Sequence, residues 1–437
     1  MRGQSRTLAL GAAVALLAVV LLVGGGALLR PDAGTGAPLS PSPAERVRGP
    51  RPGDAIARAQ QRLREVPADY VTWAELGQSY VQQARITADP TYYPRAQGAL
   101  DRSLAVHPAD NAPAHVGLAA LAAARHDFAG ALAEGRRALA VDAYSAPAYG
   151  IVGDALVELG RYPEAYRAIQ RMSDLAPGTS SYARASYTFE LRGDLSHARR
   201  TLEMALEVAP SPDDAGFALY YLGELAWNAG DLPAARARYD EGLRRAPGYL
   251  PLQEGRAKVL AAEGRTAEAV AVYRSLVARL PQPAYVVELG DLLAATGDRA
   301  GARQQYALVR AEERILVANG VDVDLELALF EADHGNPAAA LTAARKTYAL
   351  RRGVFAEDAL AWALHAAGRD AEALPHARAA QRLGTHSAPL RYHLGMISRA
   401  LGDRAGARRD LTAALELNPH FSVLQAPVAR RALRELR

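Results

Sequence analysis

The chain has 437 residues, half of them hydrophobic, 22% charged and 6% aromatic, and no cysteine. This is globular composition, and it excludes disulfide frameworks, thiolate-bound metals, iron–sulfur clusters, thiol catalysis and an acylated cysteine. The formal charge of +4 sits at the front, where Arg2, Arg6, Arg30, Arg46, Arg48 and Arg51 face only Asp32 and Glu45; beyond residue 53 the charges balance, so the body lacks the basic footprint of a nucleic-acid binder.

From Leu8 to Leu29 no charged or polar side chain occurs. A helix over this run spans about 33 Å, close to the hydrocarbon thickness of a bilayer. Residues 1–30 are therefore predicted to form an N-terminal signal-anchor, a single transmembrane helix. A cleaved leader, with a secreted body, is the alternative, although its apolar core is ordinarily only about 7 to 15 residues. Arg2 and Arg6, without an acid beside them, place the N-terminus in the cytoplasm and the body outside the cell membrane. Residues 31–53 carry Pro31, Pro38, Pro41, Pro43, Pro50 and Pro52 among glycine and serine and read as a linker. Residues 54–69 read as a lone helix, because Ala55 and Pro67 are spaced like Ala96 and Pro108 further on.

Residues 70–420 are periodic. Trp73, Leu76, Gly77 and Tyr80 begin the pattern, and an alanine recurs at intervals of 33 to 38 residues: Ala96, Ala131, Ala165, Ala198, Ala235, Ala269, Ala302, Ala340, Ala373 and Ala407. Four residues on stands a large side chain in most copies, as Leu100, Ile169, Leu202, Tyr239, Tyr273, Tyr306 and Leu411. Five residues before it stands Gly160, Gly193, Gly230, Gly264, Gly297, Gly335, Gly368 or Gly402, and a proline closes the unit at Pro108, Pro177, Pro210, Pro247, Pro281 and Pro419. The alanine suits a close helix crossing, the glycine a left-handed turn, the proline a helix stop. His115 and Ala143 depart from the pattern in the second copy, Ala344 and Arg352 in the eighth. Extra residues around Asp89, Pro90, Tyr92, Tyr93 and Pro94 predict an extended loop in the first. Residues 421–437 read as a closing helix with Leu433 and Leu436 inward and arginines outward.

The motif from Trp73 to Tyr80 and the period near 34 resemble the tetratricopeptide repeat family. The resemblance implies an all-α, right-handed α-solenoid of about ten helix-turn-helix repeats, here as a membrane-anchored bacterial protein, with residues 54–69 as a capping half-repeat and 421–437 as the C-terminal cap. It also implies that the first helix of each repeat lines a concave face. On that face the register places Asp154, Glu158, Glu190, Glu224, Glu254, Asp291, Asp322, Asp333 and Asp358 against Lys258 and Arg399, and Glu190 of the same unit as Tyr187. Aromatic residues accompany them as candidate anchors, Tyr187, Tyr220, Trp227, Trp362 and Tyr392, with Asn228 among the polar positions. The expected site is an acidic groove for a protein or peptide partner, basic or extended; solvated acids and rings packed on neighbouring helices are the competing reading. The family's basic clamp for a C-terminal carboxylate is missing, since acidic or apolar residues occupy its positions. Trp73 is expected in the core.

No block remains for a catalytic domain. The two lysines, Lys258 and Lys346, follow alanine and arginine, so no phosphate-binding loop exists, and neither metalloprotease nor serine-hydrolase motifs occur. His365, His376, His386 and His393 lack the spacing that puts two ligands on one helix face and are expected to be solvated or locally hydrogen-bonded. The expectation is therefore no enzyme, cofactor, metal, nucleic acid or small-molecule substrate. It is a membrane-tethered interaction scaffold or adaptor; the alternative is an assembly or secretion factor escorting exported clients.

Overall fold

The computed structural model describes residues 52–436. The predicted anchor, residues 1–30, and nearly all of the predicted linker lie outside the described residues. Among the described residues there are 22 helices and no strand, and none of these helices is long and apolar enough to cross a membrane. The first, α1 (Pro52–Glu65), takes up the last two residues of the predicted linker, because proline at the first helical position is already set for a helix.

Ten antiparallel pairs follow. The first helices of the pairs are α2 (Tyr70–Thr87), α4 (Ala112–Ala124), α6 (Ala146–Glu158), α8 (Thr179–Leu191), α10 (Pro212–Asn228), α12 (Leu250–Ala262), α14 (Pro283–Ala295), α16 (Asp324–His334), α18 (Val354–Ala366) and α20 (Ala388–Ala400). The second helices are α3 (Tyr92–Val106), α5 (Phe128–Val141), α7 (Tyr162–Leu175), α9 (Leu195–Glu207), α11 (Leu232–Arg245), α13 (Thr266–Arg279), α15 (Arg299–Ala318), α17 (Pro337–Leu350), α19 (Asp370–Ala379) and α21 (Arg404–Leu417). A closing helix, α22 (Gln425–Glu435), covers the last pair. Each helix packs on its neighbours in sequence, and many first helices also touch the next first helix, the quasi-one-dimensional order of a solenoid.

Local chemistry explains the pairs. The ten periodic alanines are at most 3% exposed. All eight turn glycines have positive φ, from 71° to 96°, a region where a Cβ is strained. In four of those turns an aspartate follows and caps the next helix: Asp194, Asp231, Asp298 and Asp403 each accept a backbone N–H three residues on. In two of the three repeats where the large residue of the second helix is tyrosine, the first helix thins to glycine: a Cβ on Gly223 would overlap the Tyr239 ring, and one on Gly290 the Tyr306 ring.

The array closes on itself after roughly 190 residues. Asp322 N–H donates to Arg125 O at 2.9 Å, and His126 Nδ1 meets Asp322 O at 2.7 Å. Val354 N–H donates to the Tyr162 hydroxyl at 2.7 Å, and Arg351 Nη1 pairs with Glu158 at 3.0 Å. Thr385 Oγ1 donates to Leu191 O at 2.6 Å, and Asn418 Nδ2 to Trp227 O at 2.8 Å. Four successive loops of a second superhelical turn thus rest on four successive turns of the first. Three of the four, carrying Gly320, Gly353 and Gly384, lack the closing proline, and the fourth keeps Pro419.

Three expectations need correction. Trp73 is only partly buried, with its indole N–H on Pro67 O at 3.0 Å, because it lies at the edge of the N-terminal cluster. The extra residues of the first repeat are mostly helical: α2 runs to Thr87 and α3 starts at Tyr92, leaving a connection over 88–91. They meet the second turn, where Ala84, Pro90 and Tyr93 line a cavity of about 170 Å³ with Pro281, Pro283 and Leu316. Phe421 precedes the closing helix rather than starting it, and is buried under it.

Candidate concave interface

The central first helices carry two rows, each repeating at the 34-residue period. Glu190 on α8, Glu224 on α10 and Lys258 on α12 form one; Tyr220, Glu254 and Glu288 on α10, α12 and α14 form the other, one helical turn back. Lys258 Nζ donates to both Glu224 oxygens at 2.6 and 2.7 Å and lies 3.3 Å from Glu254. It also stands 5.5 Å from the Trp227 ring centre and 6.0 Å from that of Tyr220. Burial opposes its charge, but Glu224 and Glu254 outweigh burial and hold the ammonium above its ordinary value.

One lysine does not neutralise the cluster. Burial pushes Glu190 up to about 7; Asn228 Nδ2 donates to it at 3.3 Å, and Glu224 repels it. Burial also pushes Glu254 to about 7 despite Lys258. Glu288 goes to about 8 through burial and the nearby Asp291 and Glu254, and lies beyond salt-bridge reach of Lys258. Tyrosines of the second helices hold three acids from behind. Tyr239 donates to Glu224 at 2.6 Å, Tyr306 to Asp291 at 2.8 Å, and Tyr273 lies 3.5 Å from Glu254. Burial raises all three phenols, keeping them donors. Tyr187 sits half-buried beside Glu190 with a hydroxyl that finds no partner among the described residues.

The structure thus brings together Tyr187, Glu190, Tyr220, Glu224, Trp227, Asn228 and Glu254. Asp154 and Glu158 lie next to them but are occupied: Arg184 Nε sits 3.0 Å from both Asp154 oxygens, and Arg351 holds Glu158 from one superhelical turn away. Asp291 is 0% exposed and bound to His334 at 2.9 Å. Asp358 and Trp362 belong elsewhere. Asp358 faces His393 at 2.9 Å, while Trp362, 1% exposed, donates to Asp333 at 2.7 Å and stacks on His393 and His365. Tyr392 is buried against Phe421. The expectation of Trp362 and Tyr392 as groove anchors is thereby corrected: the segment after α21 and the closing helix cover that end. His365 and His376 are held by Asp370 and Glu357, and His386 is exposed.

Sequence reasoning missed Glu288, though the 34-residue step from Glu254 signalled it. It also missed Arg184, Arg351, His334 and His393 as partners of the concave acids. Among the described residues no group of three or more histidines and acids is arranged to hold a metal ion. Chemically, the cluster offers carboxylates and aromatic faces to a cation.

Residues 189–249 and 220–284 match one family model described as tetratricopeptide repeat, and residues 388–421 another. Over these residues the chain carries tetratricopeptide repeats. The first matches take in Glu190, Tyr220, Glu224, Glu254 and Lys258 and end before Glu288. Over 173 residues, 39% of this chain, it is 26% identical to anaphase-promoting complex subunit 7 of Arabidopsis thaliana, and it spans only 30% of that protein's length. A tetratricopeptide repeat protein from Parabacteroides merdae is 22% identical over 59% of this chain and 98% of its own, with a TM-score of 0.34. A chain from the crystal structure of an APC/C hetero-tetramer is 13% identical over 88% of this chain and 90% of its own, with a TM-score of 0.39.

Proposed function

We propose that this protein is a membrane-tethered interaction scaffold that binds an extended, basic segment of another protein along its concave face, without chemistry of its own. The observation that carries the reading is the pair of rows Glu190–Glu224–Lys258 and Tyr220–Glu254–Glu288, in which Lys258 pairs with two of the four glutamates, Glu224 and Glu254. Arginine or lysine side chains of a partner would supply the missing positive charge, and Tyr187, Tyr220 and Trp227 would receive its apolar or guanidinium faces. The tetratricopeptide repeats support this, since solenoids of such repeats present extended concave binding surfaces. The tether rests on the apolar run from Leu8 to Leu29.

Two experiments test the halves separately. A short peptide alternating arginine and serine should bind in a calorimetric titration and weaken at least tenfold when Glu190 and Glu224 are both changed to glutamine; a glutamate–serine peptide should not bind. Equal binding of the two peptides would refute the groove. For the tether, the full chain should resist alkaline carbonate extraction from membranes and lose its body to protease added outside spheroplasts; a protease-protected body would reverse the topology.

A further inference from the structure

The superhelix closes around the groove it would use. At four successive rungs the loops of the second turn rest on the turns of the first, so the coil is closed along that side. An extended segment inside a longer protein cannot thread such a coil from its end. The seam between the two turns differs in kind from the packing within repeats. Within repeats, whole helix faces interlock; along the seam, loops meet through one or two polar bonds per rung and through single loop side chains, Val321 and Val323 on the cluster of Tyr93 and Leu121, and Val354 and Leu383 on that of Val157, Tyr162 and Leu191. A solenoid can part such a seam by spreading small rotations over many repeats, without breaking any repeat's core.

We propose that this seam is a lateral gate, latched by Arg351 on Glu158, through which a basic segment enters the groove. The proposal rests on the groove-binding function above. Glu158 is a concave acid whose cation comes from the far side of the seam, and both side chains are largely buried, 13% and 7% exposed. An incoming arginine that takes Glu158 therefore displaces Arg351, so the ligand favours the open coil by its contact there. That differential contact is what a ligand needs in order to shift a conformational equilibrium. The neighbouring rungs, Val354 on Tyr162 and Thr385 on Leu191, would part with it.

The absence of native cysteine makes a lock straightforward. The His386 ring lies beside Gly193 across the seam, and both Arg192 and His386 are exposed. The variant Arg192→Cys with His386→Cys, bridged by a short bismaleimide, fixes the gate without touching the groove. The probe is the arginine–serine segment in two forms, free and flanked on both sides by folded domains that cannot thread. The lock should slow association of the flanked form at least tenfold while leaving the affinity of the free peptide within twofold. Arg351→Gln, unlocked, should speed association of the flanked form severalfold and raise hydrogen exchange at the Val354 amide at least tenfold. If the locked coil binds the flanked form as fast as the unlocked one, or loses both forms equally, the gate is wrong while groove binding stands. If the free peptide binds no form, the groove reading fails and the gate falls with it.

Discussion

Two parts of the concave register carry the same residue types and meet different fates. In the centre, Glu190, Glu224, Glu254 and Glu288 lie beside Tyr187, Tyr220 and Trp227, and a single lysine serves the set. Toward the C-terminus, Asp333 and Asp358 lie beside Trp362 and Tyr392, and every carboxylate there has a dedicated donor: Trp362 and Gln425 for Asp333, His393 for Asp358. The first set is partly exposed apart from Glu254 and short of positive charge; in the second the carboxylates are buried and paired. What separates them is the terminal segment, since Phe421 and Gln425 close over the second set and nothing equivalent among the described residues covers the first. A concave register position therefore specifies direction, not exposure.

The comparison breaks most easily at its tryptophans. Trp362→Ala should cost about 3–5 kcal/mol of stability in urea unfolding, the range for a buried large-to-small change that also strands a hydrogen-bond acceptor; a cost near that of Trp227→Ala would make the two regions alike. A second test separates turn geometry from the seam. Gly402→Ala meets only the left-handed backbone, since nothing lies within 4 Å of its added Cβ, and should cost about 1 kcal/mol. Gly193→Ala has the same backbone and must also push away Gly384 O, so it should cost about twice as much; equal losses would remove the seam as a structural contact.

The titration of the central set offers a subtler test. Burial raises Glu190 and Glu254 to about 7 and Glu288 to about 8, all above their unfolded values. The folded chain therefore holds more protons than the unfolded chain between about pH 4.5 and 8. Stability contributed by these groups is fully present below about pH 4.5 and is lost progressively as pH rises across that window to the folded values of about 7 to 8. His334, raised through Asp291 although burial opposes its charge, acts in the same direction. Melting midpoints should thus fall between pH 6 and pH 8, and Glu288→Gln should flatten that slope by removing about 1 kcal/mol of penalty; an unchanged slope would mean that water reaches the cluster freely. The smallest effect belongs to Trp227→Ala, under about 1 kcal/mol in stability because its ring is half-exposed, with the loss appearing in peptide binding instead.

Much of this fold is legible in sequence because each repeat encodes itself locally. The buried alanines, the positive-φ glycines and the prolines just beyond helices ending at Val106, Leu175, Arg245, Arg279 and Leu417 all fall where the period puts them. What lies between repeats is less legible. Arg351 meets Glu158 across 193 residues, and no local pattern announces such a partner; the only trace is that Arg352, Gly353 and Gly384 stand in loops where other repeats have proline. Trp73 and Trp362 show the same limit from opposite sides. The first matches the repeat motif yet lies half-buried at the edge of the N-terminal cluster, and the second occupies a concave position yet disappears under the closing segment. For the groove, the acids and rings on α8, α10 and α12 were readable, whereas the count of unneutralised charge required knowing which arginines and histidines reach them.

The most direct test of a cation-seeking groove counts protons. Calorimetric titration of the full chain with the arginine–serine peptide at pH 7.5, repeated in two buffers of different ionisation enthalpy, reads how many protons leave on binding. Because Glu190, Glu254 and Glu288 are partly protonated near neutrality, a bound guanidinium should drive protons off, giving a buffer-dependent enthalpy that disappears when Glu190 and Glu288 are changed to glutamine. Binding with no proton release, or release unaltered in that variant, would place the peptide elsewhere on the surface and contradict the account.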